Sequence, residues 1–349
     1  MSIDEMIHGP AGLEKTSADA LGHDRPMDDE YADIVADLRS RVDGKVKFDD
    51  YSQMLFASDG SIYEARPAGV VFAKHTEDVK ATVEVAAEYD VPVVPRGRGT
   101  SLAGNVFDNG AIVIDTVKHM DSIIEVDPEA KQATCQPGTV LEHFNAETGK
   151  HGLKFAPDPA SGDRTVMGGC IGNNSTGSHS VRYEITDYYT AELEVVLADG
   201  SVINTREVVL DSEEWDEIVS KDDLEADIYE TVRRAVEENE DEIEERYPEL
   251  KRNVSGYNLN KVIYENEDGE RVINLSRLIV GSEGSLGIVT EATLDLVTVP
   301  DSTALVLYCF EDLIDAMKAV PLALDFDVSV VELMDDGVIE MALNSTEFA

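Results

Sequence analysis

The stretch Pro95-Arg-Gly-Arg-Gly-Thr-Ser101 follows directly on Val91-Pro-Val-Val94, an apolar run that predicts a short buried strand. A glycine turn at the end of a strand lets backbone N–H groups approach an anion closely. The arginines of the turn are conspicuous in a chain with few basic residues. We therefore predict a phosphate or diphosphate site, for which a tight turn with surface arginines is the alternative. The candidate residues are Arg96, Gly97, Arg98, Gly99, Thr100 and Ser101.

This loop matches neither of two common nucleotide motifs. The third glycine position of a nicotinamide-dinucleotide fingerprint is occupied by Leu102. No Gly-Lys followed by Ser or Thr comes after the loop, although a Walker loop requires it. The sequence therefore argues against both kinds of site.

A second glycine-rich stretch, Met167–Ser178, comes shortly after Pro157-Asp-Pro-Ala-Ser161. Its glycines permit close backbone approach to a flat group, and its Asn, Ser and Thr side chains suit the edge of a heteroaromatic ring. A solvated linker is the alternative. The candidate residues are Pro157, Asp158, Gly168, Gly169, Asn173, Asn174, Thr176, Gly177 and Ser178.

A third stretch, Val280-Gly-Ser-Glu-Gly-Ser-Leu-Gly287, leads straight into the alternating pattern of a strand that begins at Ile288. Backbone near Ile288 could then lie against a ligand ring. As a lone turn, this stretch would be unremarkable.

The charge of the chain excludes several kinds of partner. Its 349 residues include 72 acidic and 28 basic ones, for a formal net charge of −44. Nucleic acid and anionic lipid are unsuitable main partners, because both need a basic face. Charge this large repels itself in dilute buffer and is screened by salt. We predict a cytoplasmic protein adapted to high internal salt, with the inner face of the membrane as a second location and an ordinary acidic protein as the alternative.

Three isolated cysteines, Cys135, Cys170 and Cys309, form no Cys-x-x-Cys pair. The chain itself therefore has no predicted zinc or iron–sulfur site, and we expect buried free thiols. No apolar run suggests a signal peptide or a membrane span, and no metal site is predicted.

Together, and in this order, the three glycine stretches resemble flavoproteins with a p-cresol methylhydroxylase-type FAD-binding domain, also called the vanillyl-alcohol oxidase fold. The resemblance extends from about Arg66 to Pro300, two-thirds of the chain. The chain is similar to the FAD-linked D-2-hydroxyacid dehydrogenases, which include D-lactate dehydrogenase, the glycolate oxidase flavoprotein subunit and D-2-hydroxyglutarate dehydrogenase.

The resemblance implies an α+β fold with FAD between two subdomains. It assigns Arg96–Ser101 to the diphosphate, Pro157, Asp158 and Gly168–Ser178 to the ribityl chain and isoalloxazine, and Glu283, Gly287 and Ile288 to the adenine half. Ser255-Gly-Tyr-Asn-Leu259 also resembles a subgroup motif, with an expected packing role. Thr100 stands where some members carry the histidine that binds FAD covalently, so the resemblance implies non-covalent FAD. We expect the nearby His179 to be a solvent-exposed or structural histidine.

The expected organisation has three parts. Residues 1–65 form a leader and an N-terminal helix, and residues 66–300 form the FAD-binding domain, with subdomains at about 66–133 and 134–300. Residues 301–349 form the start of an incomplete β-α-β substrate (cap) domain, with strands at 304–310 and 328–333 around a helix. The resemblance places the catalytic residues and an iron–sulfur domain beyond residue 349, so we expect the chain to be truncated and assign no catalytic residue.

The expected activity is dehydrogenation of a small, D-lactate-like D-2-hydroxyacid, with electrons passed to a downstream or separate iron–sulfur or respiratory acceptor. An inactive flavin-binding fragment is the first alternative. Others are an oxidoreductase of D-2-hydroxyglutarate, glycolate, a sugar or an alditol on the same fold, and an NADPH-dependent reductase. The last alternative is a nonspecific acidic interaction protein, which would be colourless when purified.

Overall fold

The structure, a computed structural model, describes residues 31–250 and 252–345. The predicted leader therefore lies largely outside the described residues. The first layer of the fold is a sheet of four strands with helices on it. Its elements are α1 (Ala32–Arg41), β1 (Lys45–Lys47), α2 (Asp50–Leu55), β2 (Gly69–Phe72), α3 (Thr76–Glu88), β3 (Val93–Arg96) and β4 (Ile112–Asp115).

The strands of the first layer pair in the order β1-β2-β4-β3, with β2, β4 and β3 parallel and β1 antiparallel at the edge. The central strands β2 and β4 are apolar and almost fully buried, as expected for parallel strands covered on both faces. The carboxyl end of β3, where the first glycine loop begins, therefore lies beside that of β4.

The second layer is an antiparallel sheet with the strand order β5-β6-β13-β8-β9, and two smaller sheets flank it, with the orders β10-β12-β11 and β14-β7. The strands are β5 (Ile123–Asp127), β6 (Gln132–Cys135), β7 (Leu153–Lys154), β8 (Thr190–Val196), β9 (Val202–Thr205), β10 (Glu207–Val209), β11 (Ile263–Glu265), β12 (Arg271–Asn274), β13 (Ile288–Asp295) and β14 (Val297–Thr298). The helices are α4 (Leu141–Thr148), α5 (Met167–Gly172), α6 (Ser180–Tyr183), α7 (Glu213–Val219), α8 (Leu224–Glu238), α9 (Glu240–Arg246), α10 (Leu259–Val262) and α11 (Ser276–Ile279).

The division between the layers falls earlier than the sequence indicates. β5 and β6 pair with the second sheet, so the chain changes layer between Asp115 and Ile123 rather than near residue 133. The two layers are joined by apolar packing of α3 and β4 against β8 and β13, in which Val79 and Ile114 meet Val196 and Ile288. The α+β fold is as predicted.

The segment after β14 differs from the predicted β-α-β unit. Its helices are α12 (Leu313–Leu324) and α13 (Asp336–Asn344), but residues 304–310 and 328–333 are not strands, because no strand in the described residues pairs with them. Its apolar side chains face solvent: Leu305 is 95% exposed and Leu307 is 82% exposed. A short apolar run forms a strand only where a neighbouring strand can satisfy its backbone.

The cysteines fall into two classes. Cys135 and Cys170 are buried, as predicted, but Cys309 is exposed in the segment just described. Burial raises the pKa of the Cys170 thiol to about 12 and also raises that of Cys135. Among the described helices, none has the length and apolar character that a membrane crossing requires.

This difference predicts the result of thiol labelling. At pH 8 the folded protein should react quickly with Ellman's reagent at one thiol, and at three after denaturation, because only a thiolate reacts. Cys309→Ser should remove the fast phase. A fast phase that survives this substitution would contradict the burial of the other two cysteines.

Candidate cofactor site

A cavity of about 250 Å³ lies between the layers, where the end of β3 meets α5 and the turn before β13. This is slightly smaller than the ~300–1,000 Å³ of typical ligand pockets, so the cavity has room for only part of a dinucleotide-sized ligand. The predicted residues that line it come from all three glycine stretches. They are Arg96, Gly97, Arg98, Gly99, Thr100, Ser101, Gly168, Gly169, Asn173, Thr176, Glu283 and Gly287.

The first glycine loop presents unused backbone donors to this cavity. The backbone N–H groups of Arg98, Gly99, Thr100 and Ser101 donate to no acceptor within the part of the chain that the structure describes. Gly99 has a φ of +64°, and a Cβ there would lie 2.6 Å from Nη2 of Arg96, so only glycine fits. The loop thus has the donors that an anion requires.

Arg96 has a different position from the one expected of a diphosphate ligand. Its guanidinium donates hydrogen bonds to the carbonyl oxygens of Phe56 (3.1 Å) and Ser58 (2.7 Å) and stacks on the Phe56 ring. The residue is 8% exposed, and this burial lowers the pKa of the guanidinium. Arg96 therefore supports the loop from beneath, and the exposed Arg98 is the cation with its side chain free to meet an anion.

One wall of the cavity is α5. Gly168 allows the helix to approach the backbone of Pro137, because a Cβ there would lie 2.6 Å from Cβ of Pro137. Gly169 and Gly172 have no such neighbour: the nearest atoms to an added Cβ are 3.8 Å away, on Val166 and Glu283. A Cβ at either position would make only ordinary van der Waals contact, and both glycines line the cavity, so a flat group could approach this face of the helix closely.

The turn before β13 forms the opposite wall. The N–H of Glu283 donates to the carbonyl oxygen of Gly172 at 3.0 Å, which joins this turn to α5. Gly287 is packed against Val195, at 2.5 Å from an added Cβ. The Ile288 side chain is buried in the core, and the neighbouring Val289 lines the cavity instead.

Five other predicted residues also lie outside the lining. Gly177 is packed against the carbonyl oxygen of Asp158, which would lie 2.0 Å from an added Cβ. Asp158 is exposed and its Oδ2 lies 2.8 Å from Nδ1 of His179, while Pro157 is buried and Ser178 half-buried. Asn174 is fully buried and hydrogen-bonded to Asp187, so its role is structural.

The structure adds lining residues that the sequence did not reveal. Thr165 belongs to a segment without a glycine motif, but its hydroxyl bonds to those of Thr100 (3.1 Å) and Ser161 (2.6 Å). Asn105 carries a buried amide oxygen without a partner among the described residues. No local pattern distinguishes these residues from ordinary loop residues. Gly172 and Ser175, which belong to the second glycine stretch, also line the cavity. The remaining additions are Pro95, Val106, Thr116, Pro137, Pro159, Val166, Ile279, Ser282, Gly284 and Val289.

These residues fit FAD. The free N–H groups and Arg98 suit a diphosphate, and the cavity surface without side chains at Gly169 and Gly172 suits a flat ring. The ionisable lining residues are Arg96, Arg98 and Glu283, which gives a positive balance in a chain of net charge −44. Without this local positive charge, the acidic chain would strongly repel a diphosphate.

Comparisons with known proteins agree with this fit. Residues 67–206 match a protein family described as an FAD binding domain. D-2-hydroxyglutarate dehydrogenase of Pseudomonas putida is 29% identical over 317 residues, which cover 90% of this chain and 31% of the relative. Glycolate oxidase subunit GlcD of Bacillus subtilis is 29% identical, with coverage of 82% and 51%. A mitochondrial D-lactate dehydrogenase [cytochrome] of Saccharomyces cerevisiae is 25% identical, with coverage of 98% and 47%.

The chain spans about a third to a half of the length of these relatives. Among solved structures, alkyldihydroxyacetonephosphate synthase has the same fold, with a TM-score of 0.54 at 20% identity, over 82% of this chain and 43% of that one. The chain is therefore an α+β protein whose residues 67–206 are similar to an FAD binding domain.

Proposed function

We propose that the chain binds FAD non-covalently in this cavity and is the flavin-binding part of a dehydrogenase of small D-2-hydroxyacids. The observation that carries the proposal is the convergence of three glycine stretches on one cavity beside four free backbone N–H groups. The relatives named as D-2-hydroxyglutarate and D-lactate dehydrogenases support the substrate class. Within that class we favour a D-lactate-like acid, with D-2-hydroxyglutarate and glycolate as alternatives.

Each part of the cavity has its own task in this proposal. The N–H groups of Arg98–Ser101 and the Arg98 guanidinium hold the diphosphate, while Gly169 and Gly172 let a ring lie flat on α5. The chemistry that FAD supplies when bound is acceptance of the C2 hydride of the hydroxyacid, which becomes a 2-keto acid once a base takes its hydroxyl proton. We assign re-oxidation to an iron–sulfur or respiratory acceptor in another segment or chain.

We also propose that residues 301–349 belong to a substrate domain that further polypeptide completes. The apolar side chains of this segment, such as Leu305, Leu307 and Met341, support this proposal because most of their surface is exposed to solvent. We place the protein in the cytoplasm, consistent with the acidic composition. A flavin-binding unit without turnover of its own is the second candidate function, and the same exposed segment favours it.

The test is an absorption spectrum of the chain purified in 2 M KCl and supplied with FAD, before and after anaerobic addition of D-lactate. A flavin band that bleaches with the D-acid, and not with the L-acid, is the expected result for a working dehydrogenase. A band that persists with D-lactate, D-2-hydroxyglutarate and glycolate supports the second candidate. Bleaching by NADPH or a sugar would contradict the substrate class, and absence of any flavin binding would overturn the proposal.

A further inference from the structure

A buried carboxylate lies behind the cavity, outside its lining. Asp187 is 3% exposed, and its Oδ2 accepts hydrogen bonds from Lys261 Nζ, Asn174 Nδ2 (3.2 Å) and Asn258 Nδ2 (3.4 Å). The Asp187 backbone N–H donates to Oδ1 of Asn174 at 3.0 Å. These four residues are called the Asp187 cluster below. Asn258 belongs to the Ser255–Leu259 motif, for which the sequence predicted only packing.

The cluster holds Asn174, a residue between two lining residues of the cavity, in an unusual conformation. Asn174 has a φ of +44°, in the left-handed region that asparagine tolerates better than most residues. Its chain neighbours Asn173 and Ser175 line the cavity. Because both ends of the Asn174 amide bond to Asp187, the direction of this turn depends on where Asp187 is held.

The same turn supports the opposite wall. A Cβ on Gly281 would lie 3.4 Å from Cβ of Asn174, and the Gly281 N–H donates to the carbonyl oxygen of Ile171. Ser282 and Glu283, which follow directly, line the cavity. A shift of Asn174 would therefore move residues on both sides of the proposed ligand.

Lys261 supplies the positive charge that balances the buried carboxylate of Asp187. A buried carboxylate must be paired, because an unpaired one is strongly disfavoured in a low-dielectric interior. Without Lys261, Asp187 retains only neutral donors and would turn toward water, and Asn174 would follow. Lys261 comes from α10, 74 residues further along the chain, and α10 packs on α11, which in turn contacts the turn at residues 186–189. This packing brings the ion pair together.

We propose that Asp187, Asn258 and Lys261 are positioning residues of the FAD site, which set the cavity wall through Asn174. The inference rests on the proposed binding of FAD. A purely stabilising role would leave the affinity of the folded protein for FAD unchanged. A positioning role should make that affinity depend on the cluster.

The experiment compares FAD dissociation constants, measured by flavin fluorescence in 2 M KCl, with apo-protein melting curves from circular dichroism. At a temperature where every variant is folded, Lys261→Ala should weaken FAD binding about tenfold or more, and Lys261→Arg should restore it to within about threefold of the unmodified chain. The matched control is Lys221→Ala, which removes a surface ion pair with Glu225 and should change affinity less than about twofold.

Each outcome decides something different. If Lys261→Ala melts earlier but binds FAD as the unmodified chain does, the cluster only stabilises the fold and the proposal is overturned. If Lys261→Ala does not fold, Asn258→Ala keeps the ion pair and should weaken binding about threefold, and an unchanged affinity would then overturn it. If the unmodified chain itself does not bind FAD, the proposed function is overturned, and the titration of the unmodified chain shows this separately from the variants.

Discussion

Gly169→Leu is expected to abolish FAD binding while the chain remains folded. Gly169 lines the cavity within α5, and the nearest atom to a Cβ there, Cγ2 of Val166, is 3.8 Å away. The apo protein therefore has room for a side chain, which would occupy the space that the proposed ligand needs. Leucine also favours a helix over glycine by up to ~1 kcal/mol, so apo stability should be unchanged or slightly higher.

The neighbouring glycine provides the matched comparison. A Cβ on Gly168 would lie 2.6 Å from Cβ of Pro137 and 3.1 Å from its carbonyl oxygen, so Gly168→Ala should destabilise the apo protein by ~1–3 kcal/mol. Gly149→Ala is the neutral control, because nothing lies within 4 Å of a Cβ there and its backbone is right-handed helical.

The measurement is an FAD titration of each variant beside its apo melting curve, both in 2 M KCl. We expect no saturable binding by Gly169→Leu up to about 100 times the dissociation constant of the unmodified chain, a loss of roughly 2.7 kcal/mol or more. If Gly169→Leu binds FAD within twofold of the unmodified chain, the flavin lies elsewhere and the assignment of this cavity is wrong.

The local elements around this cavity are those that the sequence predicts. Strand β3, the glycine loop after it and the β8–β9 hairpin are each specified by residues close together in the chain. Apolar runs and turn-forming glycines determine such features within a few residues. This locality makes each glycine stretch recognisable in the sequence, whereas their convergence on one cavity depends on tertiary packing.

Features that depend on distant partners could not be predicted. The carbonyl oxygens that hold Arg96 belong to residues 38 and 40 positions earlier, so the loop sequence alone suggested a ligand-binding arginine. The side chain of Ile288, rather than that of Val289, is buried because pairing with β8 and β6 fixes which face of β13 meets the core. The hydrogen bonds of the Asp187 cluster join residues up to 74 positions apart, and no local pattern reveals them.

The same limit explains the predicted strands at 304–310 and 328–333. Their apolar patterns are those of strands, but a strand also requires a partner, and none of the described residues provides one. The helix between them, α12, formed as expected because its backbone hydrogen bonds are internal.

The stability of the chain is expected to rise steeply with salt concentration. Even if each of the 28 basic residues paired with a different acidic residue, 44 acidic residues would have no basic partner. Many of them lie on α8 and α9, where Glu240, Asp241 and Glu244 are exposed. Mutual repulsion of these carboxylates opposes the compact state more than the expanded unfolded chain.

Salt should remove most of this repulsion. The Debye length falls from ~10 Å at 0.1 M to ~3 Å at 1 M, which is shorter than most separations between surface carboxylates. We expect the melting temperature to rise by about 10 °C or more between 0.1 and 2 M KCl, a change of several kcal/mol for a chain of this size. Sucrose is the control, since it favours compact states without screening charge.

A variant separates screening from other effects of salt. Glu240→Gln, Asp241→Asn and Glu244→Gln together remove three negative charges from one exposed helix and leave the cavity untouched. If repulsion controls stability, the triple variant should melt higher at 0.1 M KCl, and the difference should shrink toward zero at 2 M. A melting temperature that rises equally in sucrose, or a variant whose advantage persists at 2 M, would show that charge repulsion is not the cause. The buried ion pair of Asp187 and Lys261 is screened much less than surface charges, so the cavity wall should keep its shape across the same range of salt.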